Sequence, residues 1–122
     1  MDSVINTLSD IYKRQCMIDD LSTNSAMVIG IGGVGSWLAL DLALIGVGTL
    51  VLVDPDTIEA SNLNRTLYKL SDITRKKTEA IKDLISERRQ DTIVLTIDDY
   101  FSLDMLDKYS VDYIFDCTDT LG

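Results

Sequence analysis

Residues 27–37 read Met27-Val-Ile-Gly-Ile-Gly-Gly-Val-Gly-Ser36-Trp37. A mostly apolar run to Ile45, the turn Gly46-Val47-Gly48 and the stretch Thr49-Leu-Val-Leu-Val-Asp54-Pro-Asp56 follow. Met27 to Ile31 is short, apolar and β-branched, which suits a buried strand. Ser36 to Ile45 has apolar residues at helical spacing, and Thr49 to Val53 is apolar on both faces, as in a covered parallel sheet. The order is strand, glycine turn, helix, second strand, acidic residue. That order is the mononucleotide-binding half of a doubly wound sheet.

The glycines at 30, 32, 33 and 35 have a physical purpose. A phosphate must approach the N–H groups at a helix start, which have no partner within the helix. A Cβ at Gly32 or Gly33 would hold that phosphate off. Asp54 follows Gly30 by 24 residues, and a carboxylate there can accept hydrogen bonds from ribose hydroxyls.

Working outward, residues 3–20 carry Val4, Ile5, Leu8, Ile11 and Tyr12 at amphipathic spacing, so an N-terminal helix is expected there. One glycine of the Gly46-Val47-Gly48 turn is expected to take a left-handed cap. Asp54 to Lys69 reads as a loop whose length and polarity point to function. A helix is expected over Ile73–Arg88, with Lys77 on its apolar side and its ammonium emerging at the first turns. Strands over Thr92–Ile97 and Asp112–Asp116 flank a short helix over Ser102–Lys108. The expected fold is α/β: a Rossmann-like, doubly wound, mainly parallel sheet with helices on both faces. Ligands bind such sheets outside the carboxyl ends of the strands. Asp119, just past the fourth strand, is therefore expected to face the same crevice as the glycine turn.

Composition narrows the chemistry. The 122 residues suit one domain able to bury a core. With 20 acidic and 11 basic residues the net charge is −9, which argues against nucleic acid as the partner of this segment. The cations gather locally: Arg65, Lys69, Arg75, Lys76 and Lys77. Lys69, Arg75 and Lys76 are read as a solvated helix start. There is no histidine, so no Ser-His-Asp triad and no histidine metal ligand. Cys16 and Cys117 form no Cys-x-x-Cys pair, and two separate thiols suit a reducing, cytoplasmic compartment. No apolar run is long enough to span a membrane, and the acidic N-terminus is no signal peptide.

Five blocks now stand in order: Gly30-Ile-Gly-Gly-Val-Gly-Ser36, Asp54-Pro-Asp-Thr-Ile-Glu59, Ser61-Asn-Leu-Asn-Arg65, Lys77-Thr-Glu-Ala80 and Asp116-Cys-Thr-Asp119. Together they resemble the adenylation domain of ubiquitin-activating enzymes and of their ThiF/MoeB-type bacterial relatives. The resemblance runs from about Tyr12 to Asp119, so residues 1–122 read as the N-terminal nucleotide-binding part of a longer adenylation domain. It implies an ATP- and Mg2+-dependent adenylyltransferase. The substrate would be a ubiquitin-like or sulfur-carrier protein with a Gly-Gly tail, activated as an acyl-adenylate with release of pyrophosphate.

Carried over by residue, the resemblance implies that Gly30, Gly32, Gly33 and Gly35 form the nucleotide turn. Asp54 would bind ribose, with Asp56 beside it. Asn62, Asn64, Arg65 and Lys77 would contact phosphates, and Asp119 would hold Mg2+. Tyr12-Lys13-Arg14-Gln15 resembles an N-terminal family motif, so Arg14 would reach the phosphates of a neighbouring protomer in a homodimer or pseudo-symmetric heterodimer. The chain departs from the pattern at Thr66, where glutamine is common, and at Thr120, where asparagine is common. Three alternatives share the fold: a tRNA threonylcarbamoyladenosine dehydratase-like enzyme, a non-catalytic pseudo-adenylation subunit and an NAD-dependent oxidoreductase. The last gives no role to Ser61–Arg65 or to Asp119.

Overall fold

A computed structural model describes residues 21–118. The expected helix over 3–20, with Arg14, and the metal candidate Asp119 lie outside those residues. Four parallel strands, β1 (Ser25–Ile29), β2 (Thr49–Val53), β3 (Ile93–Ile97) and β4 (Tyr113–Asp116), form one sheet in the order β3-β2-β1-β4. The chain steps outward from β1 to β3 and then returns to lay β4 on the other side of β1. That reversal is the switch point at which open α/β sheets bind ligands.

Alternation along the strands divides the core into two faces. Ala26, Val28, Leu50, Leu52 and Val94 pack against α1 (Gly33–Leu44) and α2 (Lys77–Arg88) through Ala39, Leu40, Ala43, Ile81 and Ile85. Met27, Ile29, Val51 and Val53 face the other way, under Phe101 and the short α3 (Asp104–Lys108) with its Met105 and Leu106. Helices therefore cover both faces, and the fold is Rossmann-like α/β as expected. Asp112 fastens the start of β4 to that of β1: its Oδ2 accepts from Ser25 N at 2.9 Å and Asn24 Nδ2 at 3.2 Å. These donors, with the Ser25 hydroxyl, hold the Asp112 carboxyl below the usual carboxylate range.

Most boundaries shift by a residue or two from the sequence reading, and three shifts have a clear local reason. β1 ends at Ile29 because Gly30 turns the chain at φ +89°. α1 begins at Gly33, three residues earlier than expected, because the glycine turn is itself the first helical turn. α2 begins at Lys77, not Ile73. Segment 74–77 is instead zipped to the loop after β2: Ile58 N donates to Arg75 O, Thr74 N to Ile58 O, and Lys77 N to Asp56 O. These three backbone bonds outweigh the helical periodicity of Ile73. The left-handed cap expected after α1 is Gly46, at φ +102°.

Among the described residues no helix is long and apolar enough to cross a membrane.

Candidate nucleotide site

The carboxyl ends of the strands converge on the glycine turn. Gly30 N donates to Val53 O at 2.8 Å, Cys117 N to Ile29 O at 2.7 Å and Asp54 N to Ile97 O at 3.1 Å. The four glycines then separate into two pairs. A Cβ on Gly35 would lie 1.7 Å from Gly30 O, and one on Gly30 would lie 2.9 Å from Thr118 N. These two positions are glycine because strand, helix and the end of β4 touch there. A Cβ on Gly32 would meet nothing within 4 Å, and one on Gly33 only Arg65 O at 3.8 Å. The fold does not require glycine at 32 or 33. Their bareness leaves open the backbone at the start of α1, where unpaired N–H groups attract anions.

Asp54 holds this turn in place. Its carboxylate is buried at 6% exposure; Oδ2 accepts from Ile31 N and Oδ1 from Asp56 N, each at 2.8 Å. The Tyr68 hydroxyl donates to Ile31 O, so the residue between the glycines is gripped at both its N–H and its carbonyl. Burial, with the Asp54 and Asp72 charges, pushes the Tyr68 phenol well above its ordinary range, so it stays a donor. Nothing in the sequence points to Tyr68, which lies 37 residues from its partner. The one available signal is general: a buried tyrosine hydroxyl must find a partner.

Asp56 carries the network on to α2. Its backbone oxygen accepts from Lys77 N at 3.1 Å, and its Oδ2 lies 3.8 Å from Lys77 Nζ. Lys77 is 8% exposed. Its side chain is 10% exposed, so the ammonium, expected to emerge, instead stays at the first turn of α2 beside the partly solvated Asp56. Arg65 lies further along the same loop after β2, and its carbonyl approaches the turn. Its carbonyl accepts from Trp37 Nε1 at 3.0 Å and faces Gly33. Arg65 has φ +64°, a conformation uncommon outside glycine.

The basic residues divide by partner. Arg75 pairs with Asp72 at 3.1 Å and with Asp83, and Lys76 with Asp98 at 2.6 Å. These two sit at the partly exposed start of α2, as expected of a solvated helix start, and each is held in an ion pair. Arg65 is exposed and among the described residues its guanidinium makes no ion pair. In the 3-10 turn Ala60–Leu63 the Asn62 Oδ1 accepts from Glu59 N at 2.8 Å, so part of that side chain shapes the loop. Asn64 is exposed at the end of that turn. Thr66, the departure from the family pattern, donates its hydroxyl to Asn62 O and accepts from Tyr68 N at 3.4 Å. Cys117 is half-buried beside Gly35; burial and Asp116 raise its thiol, which lowers its thiolate fraction.

The sequence matches the ThiF family over residues 5–122. It is 32% identical to the tRNA threonylcarbamoyladenosine dehydratase of Bacillus subtilis, over 85% of this chain and 42% of that protein. It is 33% identical to the sulfur carrier protein ThiS adenylyltransferase of Escherichia coli, over 91% of this chain and 49% of that protein. The fold superposes on the crystal structure of the E. coli tRNA N6-threonylcarbamoyladenosine dehydratase in complex with ATP. The TM-score is 0.76 at 30% identity, covering 83% of this chain and 43% of the other. The chain spans less than half the length of these relatives.

Proposed function

The chain belongs to the ThiF family, and on that premise we propose that it forms the ATP-binding part of an enzyme that activates a carboxylate by adenylation. The observation that carries this reading is the bare backbone at Gly32 and Gly33, with the Arg65 carbonyl facing Gly33 and the Arg65 side chain exposed. ATP suits these residue types: the α1 start for a phosphate, Arg65 and Lys77 as cations for the others, and Asp54 and Asp56 for ribose hydroxyls. The amide nitrogen of Asn62 remains available as a donor to phosphate, and Asn64 lies one residue before Arg65 in the same loop.

In the reaction a carboxylate oxygen bonds to the α-phosphorus while the bond between that phosphorus and the α–β bridging oxygen breaks. Pyrophosphate leaves, and an acyl-adenylate remains. The difficulty is that two anions must meet. One unit pair of charges about 4 Å apart at an effective dielectric near 20 is worth roughly 4 kcal/mol before desolvation. Two fixed cations offset most of that repulsion, and they gain as charge builds on the departing pyrophosphate. The nucleophile needs no base, since a carboxylate is ionised at neutral pH. Mg2+ binding by Asp119 and a phosphate contact from Arg14 of a second protomer complete the proposal. Among the described residues no group of three or more His, Cys, Asp or Glu is placed to hold a metal ion, and each step above uses the chain's own cations.

The substrate we propose is a ubiquitin-like or sulfur-carrier protein ending in Gly-Gly, in keeping with the ThiS adenylyltransferase relative and the net charge of −9. The likeness to tRNA threonylcarbamoyladenosine dehydratases favours a second reading, in which the same chemistry activates a tRNA-bound carboxylate. Pyrophosphate exchange separates the two. The protein is expected to exchange labelled pyrophosphate into ATP when given a carrier protein with a Gly-Gly tail. Arg65→Ala and Asp119→Ala should each abolish that exchange. Exchange retained in both variants contradicts the assigned roles, and exchange driven by tRNA alone selects the second reading.

A further inference from the structure

We propose that Trp37 is the positioning residue for Arg65, its indole N–H holding that arginine's backbone in the conformation that aims the guanidinium at the glycine turn. The proposal rests on the nucleotide reading above and extends it to a side chain that makes no contact with the nucleotide in that reading.

Arg65 is one of two described non-glycine residues with positive φ, and such conformations persist only where the surroundings over-determine them. Two contacts do so here. Trp37 Nε1 donates to Arg65 O at 3.0 Å, and the next residue, Thr66, ties its hydroxyl back to Asn62 O. An indole has a single donor and no acceptor, so Trp37 has one hydrogen bond to give, and Arg65 receives it. The ring contributes little to the core, since Trp37 is 48% exposed and lies outside both buried clusters. Its place on α1 is one turn beyond Gly33, the residue that the same carbonyl faces. One helical turn therefore carries both the bare N–H groups and the clamp on the nearby cation. The spacing between these two phosphate-binding elements is set by a rigid helix and not by a loop.

The test is a double-mutant cycle on ATP affinity, measured by titration calorimetry with this chain and ATP alone. Trp37→Phe is expected to weaken ATP binding about tenfold and to flatten its salt dependence, as Arg65→Ala should, because exposed charges are screened. The double variant should bind ATP no more weakly than Arg65→Ala alone. Trp37 is the single tryptophan of the sequence, so benzothienylalanine can replace it globally. That isostere keeps the ring shape and lacks only the N–H; it should reproduce the loss with an unchanged melting temperature, which a packing role would not. Additive losses, or full affinity without the N–H, overturn the Trp37 proposal and leave the nucleotide reading intact. A wild-type chain that binds no ATP overturns both.

Discussion

Gly35→Ala is expected to unfold this protein or bring it close to unfolding, whereas Gly33→Ala leaves its stability almost unchanged. The two glycines flank Val34, and composition cannot distinguish them. A Cβ on Gly35 would sit 1.7 Å from Gly30 O, 2.8 Å from Gly30 C and 3.3 Å from Cys117 Cβ. The first two are backbone atoms that cannot rotate aside. Gly30 cannot retreat either, since its N–H is bonded to Val53 O and the backbone of Cys117 and Thr118 lies against it. The helix would have to lift from the sheet and open the cluster around Ala39 and Ala43. A cost of about 3–5 kcal/mol is the scale for such core disruption, a large part of the roughly 5–15 kcal/mol that holds a domain together. Gly33 is the first residue of α1 and nothing lies nearer than 3.8 Å to its missing Cβ, so alanine there should shift the urea midpoint little. Gly33→Ala should instead lose ATP binding, because the methyl group occupies the space a phosphate needs. Equal urea midpoints for the two variants would contradict this division.

The second large effect is functional. Lys77→Met keeps an unbranched stem in the first turn of α2 and removes only the charge. ATP affinity should fall by a factor on the order of thirty or more, about 2 kcal/mol, which is half the unscreened pair energy at this distance scale. The melting temperature should not fall with it. Asp56, the partner left behind, has 64% of its side chain exposed and is rehydrated by water, so no buried charge is orphaned. Calorimetric ATP binding beside a thermal melt checks both halves. Undiminished affinity would remove Lys77 from the site.

The legible part of this chain is the part governed by short-range rules. Glycines beside a β-branched run, a helix after them and an acid after the next strand follow from local spacing, and each lies within a few residues of its expected place. Lys77 is legible because a lysine on an apolar helix face must lead its ammonium out to water or to an anion. What cannot be read locally is what depends on contacts distant in sequence. Thr74 and Arg75 look helical by period and are drawn into a backbone ladder with Ile58. Tyr68 reaches Ile31, and Trp37 reaches Arg65, across 37 and 28 positions. No pattern of residue types encodes either pairing. From spacing alone, the carboxylate of Asp54 reads as a ligand for ribose. The structure adds that it holds the glycine turn from behind, through Ile31 N.

The central claim is that one hollow, floored by Gly32 and Gly33 and flanked by Arg65 and Lys77, receives the phosphates of ATP. Amide spectra of the 15N-labelled chain, recorded during titration with ATP and separately with NAD, test it most directly. The account predicts that ATP shifts the Gly32, Gly33, Arg65 and Lys77 amides together, saturating with a single dissociation constant, and that NAD does not. Shifts that cluster away from these four residues, or the same response to NAD alone, would contradict it.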